Sequence, residues 1–284
     1  MAKRLRSFVL NPLAVALPAL GLMIGLGTST AVASTTPSAS VAAAATAKAA
    51  IRQLLIGEHG AYHPVTGFSK KIEGLNQVES TNWSGYADTG SGFTEANGSW
   101  NEPSASCGSG TALAAFWVGI DGFTSASVEQ DGTLIECYQG GLYQYTWWEM
   151  YPANAIQVVG SSVASGDHIS AKVVRSGTNY TLTVTDSTHP ANSFSTIQTC
   201  SSCANSSVEW IAEAPSGSAG LYPLAHFSTW TLTNASAATS SKSGNICTFA
   251  DNEITMVNNS GQVKAQPTLL INCSSFSVTW ERSS

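Results

Sequence analysis

FWVGIDG at Phe116–Gly122 and YTWWEMY at Tyr145–Tyr151 decide how this chain folds. Side chains along a β-strand alternate between two faces. In the first segment Phe116, Val118 and Ile120 make one wholly apolar face, while Trp117, Gly119 and Asp121 share the other. In the second, Tyr145, Trp147, Glu149 and Tyr151 fall together, opposite Thr146, Trp148 and Met150. Outward from these, short apolar or alternating runs recur from Thr81 onward: TALAAFWVGI, LYQYTWWEMY, HISAKVV, YTLTVTD, SVEWIAEA, FSTWTLT and SFSVTW. Gly, Asn, Asp, Ser and Pro separate them, with Asp121-Gly122, Asp131-Gly132 and Gly166-Asp167 suited to hairpin loops. Strands at this spacing over roughly 200 residues predict an all-β fold, a concanavalin-like sandwich of two large antiparallel sheets.

The same alternation sorts the polar residues. Glu209, Ile211 and Glu213 share a face of Val208–Glu213, and Val128 pairs with Gln130 in the run Val128-Glu129-Gln130. One sheet face thus gathers Trp, Tyr, Glu, Asp and Gln. By itself this admits a solvated sheet with cross-strand aromatic pairs, a noncatalytic sugar-binding (lectin-like) platform on which glycans stack, or a catalytic surface.

The first 80 residues read differently. Lys3, Arg4 and Arg6 precede an apolar stretch from Phe8 to Leu26 that ends near Ala31-Val32-Ala33, the pattern of a cleaved export signal over residues 1–33. Residues 34–79 are expected to form a propeptide or linker outside the fold, polar except for the helix-forming run TAKAAIRQLLI at 46–56. The β domain is then 80–284. Export implies a secreted, extracellular protein in an oxidising compartment. Its six cysteines allow fifteen full pairings, of which Cys107–Cys137, Cys200–Cys203 and Cys247–Cys273 are preferred because each pair brackets a predicted strand unit or a tight loop.

Charge is sparse: 11% of the 284 residues are charged, with 12 Lys plus Arg against 18 Asp plus Glu and a net charge of -6. Seven of those basic residues and three of the acidic ones precede residue 81, so the β domain keeps five against fifteen. No basic stripe exists to follow a phosphate backbone, and nucleic acid is not an expected partner. After signal removal no membrane association is expected. The five histidines, His59, His63, His168, His189 and His226, are not accompanied by a G-x-S-x-G elbow, and neither HExxH nor clustered His and Cys ligands occur. Neither a metal nor another cofactor is expected. Carboxylate chemistry remains. Glu209 and Glu213, four residues apart along one strand, stand roughly 13 Å apart by backbone rise, too far for a paired-carboxylate glycosidase, whereas Glu149 with an acid on another strand is not excluded.

Six segments in register then resemble the glutamic peptidases, or eqolisins: STNWSGY at 80–86, FWVGIDG at 116–122, VEQDG at 128–132, YTWWEMYP at 145–152, VEWIAE at 208–213 and FSTWTLTNA at 227–235. The resemblance covers residue 80 to the end. It implies a sandwich of two seven-stranded sheets and a bacterial secreted acid endopeptidase, metal-independent, made as a zymogen and working as a monomer on polypeptide substrates. It assigns Gln130 and Glu213 as the catalytic pair, with Trp83, Trp117, Asp121, Glu149 and Tyr151 lining or supporting the cleft. In the implied mechanism Glu213 as carboxylate takes a proton from a water, and Gln130 donates an N–H to the oxyanion. The chain departs from the family's pattern in Ala214-Pro215 after the catalytic acid and Asp131 after Gln130.

Overall fold

The computed structural model describes residues 62–72 and 75–284; the expected signal and the helix-forming run at 46–56 lie outside them. Sixteen strands of five residues or more follow in order: β1 Pro64–Ile72, β2 Leu75–Ser80, β3 Trp83–Thr89, β4 Phe93–Asn101, β5 Ala112–Ile120, β6 Val128–Tyr138, β7 Gly141–Tyr151 and β8 Asn154–Val158. The rest are β9 His168–Ser176, β10 Asn179–Asp186, β11 Phe194–Thr199, β12 Ser207–Glu213, β13 Trp230–Thr239, β14 Ala250–Val257, β15 Val263–Pro267 and β16 Phe276–Trp280.

They form two layers. The front sheet runs β8-β7-β6-β5-β12-β3-β14-β2-β1. The back sheet runs β11-β10-β9-β4-β13-β16-β15, and β15 also pairs with β14, joining the layers along one side. The back sheet has the seven strands the resemblance implies. The front sheet has nine, because β1 and β2 extend it.

That extension lies ahead of residue 80, in the stretch read from sequence as propeptide or linker. β2 lies parallel to β14, Asn76 opposite Asn252 through Ser80 opposite Met256, and β1 pairs with β2. LNQVES gives no strand signal because it serves a partly buried margin of the sheet, where neither face demands apolar residues.

Alternation does what the sequence pattern asks. Phe116, Val118, Ile120, Trp210, Trp230 and Phe276 pack in the main core with Tyr86 and Phe93. The opposite face of the front sheet carries a second buried cluster of Trp83, Trp117, Leu134, Tyr145, Trp147 and Ile211. Large side chains buried on both faces contribute about 1.5–3 kcal/mol each.

Two turn assignments differ. Asp131-Gly132 is no turn but the middle of β6, where Gly132 faces Trp117 of β5 and Trp147 of β7. A Cβ there would collide with the carbonyl oxygen of Phe116, so glycine is required for close strand approach. The β6–β7 hairpin instead turns through Gln139 and Gly140, both at positive φ. FSTWTLT is broken at Ser228-Thr229: His226–Phe227 pairs with Ala105–Ser106, and β13 starts at Trp230. Disulfides join Cys107–Cys137, Cys200–Cys203 and Cys247–Cys273.

Candidate active site

Register places the polar side chains. In β12 Glu213 stands beside Trp83 of β3 on one side and Ala115 of β5 on the other. Gln130 of β6 lies between Gly119 of β5 and Glu149 of β7. All project on the aromatic face, and Gln130, Glu149 and Glu213 line one small pocket walled by Ala115, Trp147, Ile156 and Pro215. Its volume is about 10 Å³, on the order of one water molecule by the same measure.

The three groups are buried, Gln130 and Glu149 to 1% exposure and Glu213 to 3%. Gln130 donates from Nε2 to Glu149 Oε2 at 2.6 Å. An amide nitrogen carries two hydrogens, so one remains for a substrate oxygen. The indole N–H of Trp117 donates to Glu213 Oε2 at 2.9 Å, and Asn82 Nδ2 faces Glu213 Oε1 at 3.5 Å. Burial pushes Glu213 up to about 7, against the opposing pull of hydrogen bonding, first from Trp117 and more weakly from Asn82. Glu149 is raised well above the usual carboxylate range, first by burial, then by repulsion from Glu213, while its bond from Gln130 pulls the other way. Two buried acids sharing a pocket cannot both ionise cheaply, so the pair holds protons in acid.

Of the other expected cleft residues, Trp83 and Trp117 meet edge to face at 4.9 Å and flank Glu213. Tyr151, the last residue of β7, packs half-buried against the same aromatic cluster. Asp121 is elsewhere. Its φ is 71°, and its carboxylate accepts the backbone N–H of Asn205 at 2.6 Å and Ser206 at 2.8 Å, which makes it the anchor of a loop. Alternation had been extended one residue past the end of β5. Glu209 shares the strand face of Glu213 without reaching the pocket. Asn82, Trp147 and Pro215 were missed as site residues. Their signals were adjacency to Trp83, the period-two partnership of Trp147 with Glu149, and proximity of Pro215 to Glu213.

No histidine lines the pocket. Among the described residues, two clusters have ligand spacing for a metal ion. In one, Glu129 with Cys200 and Cys203, both sulfurs are joined in a disulfide. In the other, Asp186 accepts from the backbone of Thr188 and His189 while Asp167 holds His189 Nδ1 at 2.8 Å. Neither borders the pocket. A larger depression of about 380 Å³ on the back sheet is lined by Ser99, His168, Ser170, Thr231 and Thr233, with no carboxylate.

Residues 81–280 match the peptidase A4 family. The chain belongs to that family. This A4 peptidase is 28% identical to aspergillopepsin-2 of Aspergillus niger over 201 residues, 61% of the chain and 71% of that protein. It is 34% identical to scytalidopepsin B of Scytalidium lignicola over 105 residues, 37% of the chain and 39% of that protein. Its fold is similar to that of scytalido-glutamic peptidase, captured with a peptide-based transition-state analogue, at a TM-score of 0.61 and 24% identity over 71% of this chain and 98% of that one. Among the described residues of the A4 peptidase, no helix is long and apolar enough to cross a membrane.

Proposed function

We propose that the protein is an acid endopeptidase in which Gln130 and Glu213 act on one water molecule, with Glu149 holding Gln130. The observation that carries this reading is the convergence of Gln130, Glu149 and Glu213 on one buried, water-sized pocket in a peptidase fold. The signal-like pattern read over residues 1–33 and the three disulfides support action outside the cell on polypeptide substrates.

Burial alters the order of proton transfer expected from the sequence. Below about 7 Glu213 enters as a carboxyl. A carboxyl works at both oxygens: one gives its proton to the scissile group as the other takes the proton of the attacking water, so the acid ends the step still neutral. The free N–H of Gln130 bonds the scissile carbonyl oxygen as it takes up that proton, easing the negative charge that builds there on the way to the diol. An amide keeps this capacity in acid, where an imidazole is charged. The resulting diol collapses with proton delivery to the departing amine.

A glycan platform gains no support, because Trp83, Trp117 and Trp147 are buried to within 1% and offer no ring face for stacking. Digestion of a denatured protein at about pH 3–4, below the ordinary Glu pKa of about 4.3, tests the proposal. Wild type should cleave, while Gln130→Ala and Glu213→Ala should fold and fail to cleave. Undiminished cleavage by Glu213→Ala rejects the assignment.

A further inference from the structure

We infer that Asn82 is a positioning residue for Glu213, and that the segment from Tyr62 to Ser80, read from sequence as propeptide or linker up to residue 79, stays on the working enzyme and fixes how Asn82 points. This rests on Glu213 being the acid of the reaction proposed above.

An asparagine amide can present either its oxygen or its nitrogen to a neighbour. At Asn82 two donors engage the oxygen, and the second of them, the Ser80 hydroxyl, also lies 3.1 Å from the carbonyl oxygen of His63. The backbone N–H of His63 bonds Oδ1 at 3.0 Å, and the Ser80 hydroxyl bonds it at 2.8 Å. With the oxygen so engaged, Nδ2 is turned to Glu213 Oε1 at 3.5 Å. A long contact is ordinary for a catalytic hydrogen bond in a substrate-free site. The Asn82 backbone is tied to the same place, since its carbonyl accepts the N–H of Ala214 at 2.8 Å and its neighbour Trp83 is in register with Glu213. Ser80 Oγ in turn accepts the N–H groups of Asn82 and Trp83 at 3.2 and 3.1 Å.

The segment that supplies these donors is built into the front sheet. Tyr62 packs its ring on Phe123 at 4.7 Å and Trp83 at 5.7 Å, and donates its hydroxyl to the carbonyl of Glu79 at 2.9 Å. The N–H of Thr81 returns to the carbonyl of His63 at 3.0 Å. β2 covers β14, with Gln77 Nε2 donating to Glu253 at 3.0 Å. A cut between Ser80 and Thr81 would strip both of these donors from Asn82 Oδ1 and bare the edge of β14, and one just ahead of Ser80 would strip the His63 N–H; either weakens the hold that keeps Nδ2 toward the acid. A cut ahead of Tyr62 leaves the arrangement whole.

Among the described residues that bond Glu213 or share its pocket, from β5 (Trp117), β6 (Gln130), β7 (Glu149) and the approach to β3 (Asn82), Glu149 is the only other one that titrates. A donor to Glu213 favours its ionised form, so losing it must move the protonation of Glu213 to higher pH.

The test uses the full chain, matured by its own secretion, with amino-terminal sequencing of the active form and pH profiles of kcat and KM on a neutral peptide. Compared are wild type, Asn82→Ala, Ser80→Ala and Glu213→Gln. The active form should begin at or before Tyr62. Asn82→Ala should lower kcat about 10-fold with KM within about 2-fold, and carry the alkaline fall of activity to higher pH. Ser80→Ala should move it the same way by less, and serves alone if Asn82→Ala does not fold. Profiles unmoved in the folded variants, or an active form that begins after Tyr62, overturn the inference. An active Glu213→Gln would sink the proposed function itself; an inactive Glu213→Gln beside unmoved Asn82 and Ser80 profiles removes only this inference.

Discussion

Gln130 and Glu149, facing each other across β6 and β7, share a 2.6 Å hydrogen bond inside a pocket that water barely enters. Glu149 is held neutral in acid by burial and by Glu213, so what Gln130 needs from it is an acceptor, not a charge. Glu149→Gln supplies a neutral acceptor of the same shape, and Glu149→Ala supplies none. Steady-state kinetics in acid should show Glu149→Gln at least about 10-fold more active than Glu149→Ala. Equal losses would mean that the negative charge itself is required.

Trp117 gives Glu213 its shortest hydrogen bond, 2.9 Å to Oε2. Trp117→Phe keeps a ring in the aromatic cluster and removes the donor, worth about 1.5–3 kcal/mol to a charged partner. The pH at which activity is lost should rise, since the ionised form of Glu213 loses support. A fall to lower pH would contradict the electrostatics assigned here.

Gly119 sits between Trp117 and Gln130. A Cβ there would stand 2.9 Å from Cζ3 of Trp117 and 3.2 Å from Cβ of Gln130. Gly119→Ala should cut kcat about 10-fold or more by displacing both, while thermal melting shows the fold retained. Wild-type kcat would show that the pocket tolerates such displacement.

The interior carboxyls set a pH dependence of stability. Burial raises Glu102 and Glu136 to about 7, Asp88 to about 8 and Glu129 to about 9. The ion pairs among the described residues, Lys172 with Glu95 and His189 with Asp167, involve none of them. Each folded value lies above the unfolded ones of about 3.9 for Asp and 4.3 for Glu. The native state therefore binds more protons through this interval, and the stability it gains is full below about 4 and lost as pH climbs through 7 to 9. Calorimetry should show Tm falling from pH 4 to pH 9, with a flatter slope in Asp88→Asn. A Tm that rises over that range would contradict the burial of these acids in neutral form.

Much of the site was legible because period two needs no knowledge of strand partners. Tyr145, Trp147 and Glu149 share a face by sequence arithmetic alone, as do Trp117 and Gly119. What stayed hidden depends on pairing between distant strands. Glu209 and Glu213 look alike to alternation; the resemblance picks Glu213, and the neighbours of β12 bring that acid, not Glu209, to the pocket. Asp121 continues the alternation of β5 on paper, yet its positive φ ends the strand and turns the carboxylate to Asn205 and Ser206. Asp131-Gly132 reads as a turn because its glycine serves strand packing instead. Strand β2 joins β14 across more than 170 residues, a partnership no local pattern announces.

The central claim is that Gln130 and Glu213 operate as one unit on a single water. A double-mutant cycle measures this directly, using kcat/KM in acid for Gln130→Ala, Glu213→Gln and the combined variant. Residues that act together are strongly non-additive, so the account predicts that the combined variant is no slower than Glu213→Gln alone. Two losses that multiply, or a wild-type rate in either single variant, would contradict it.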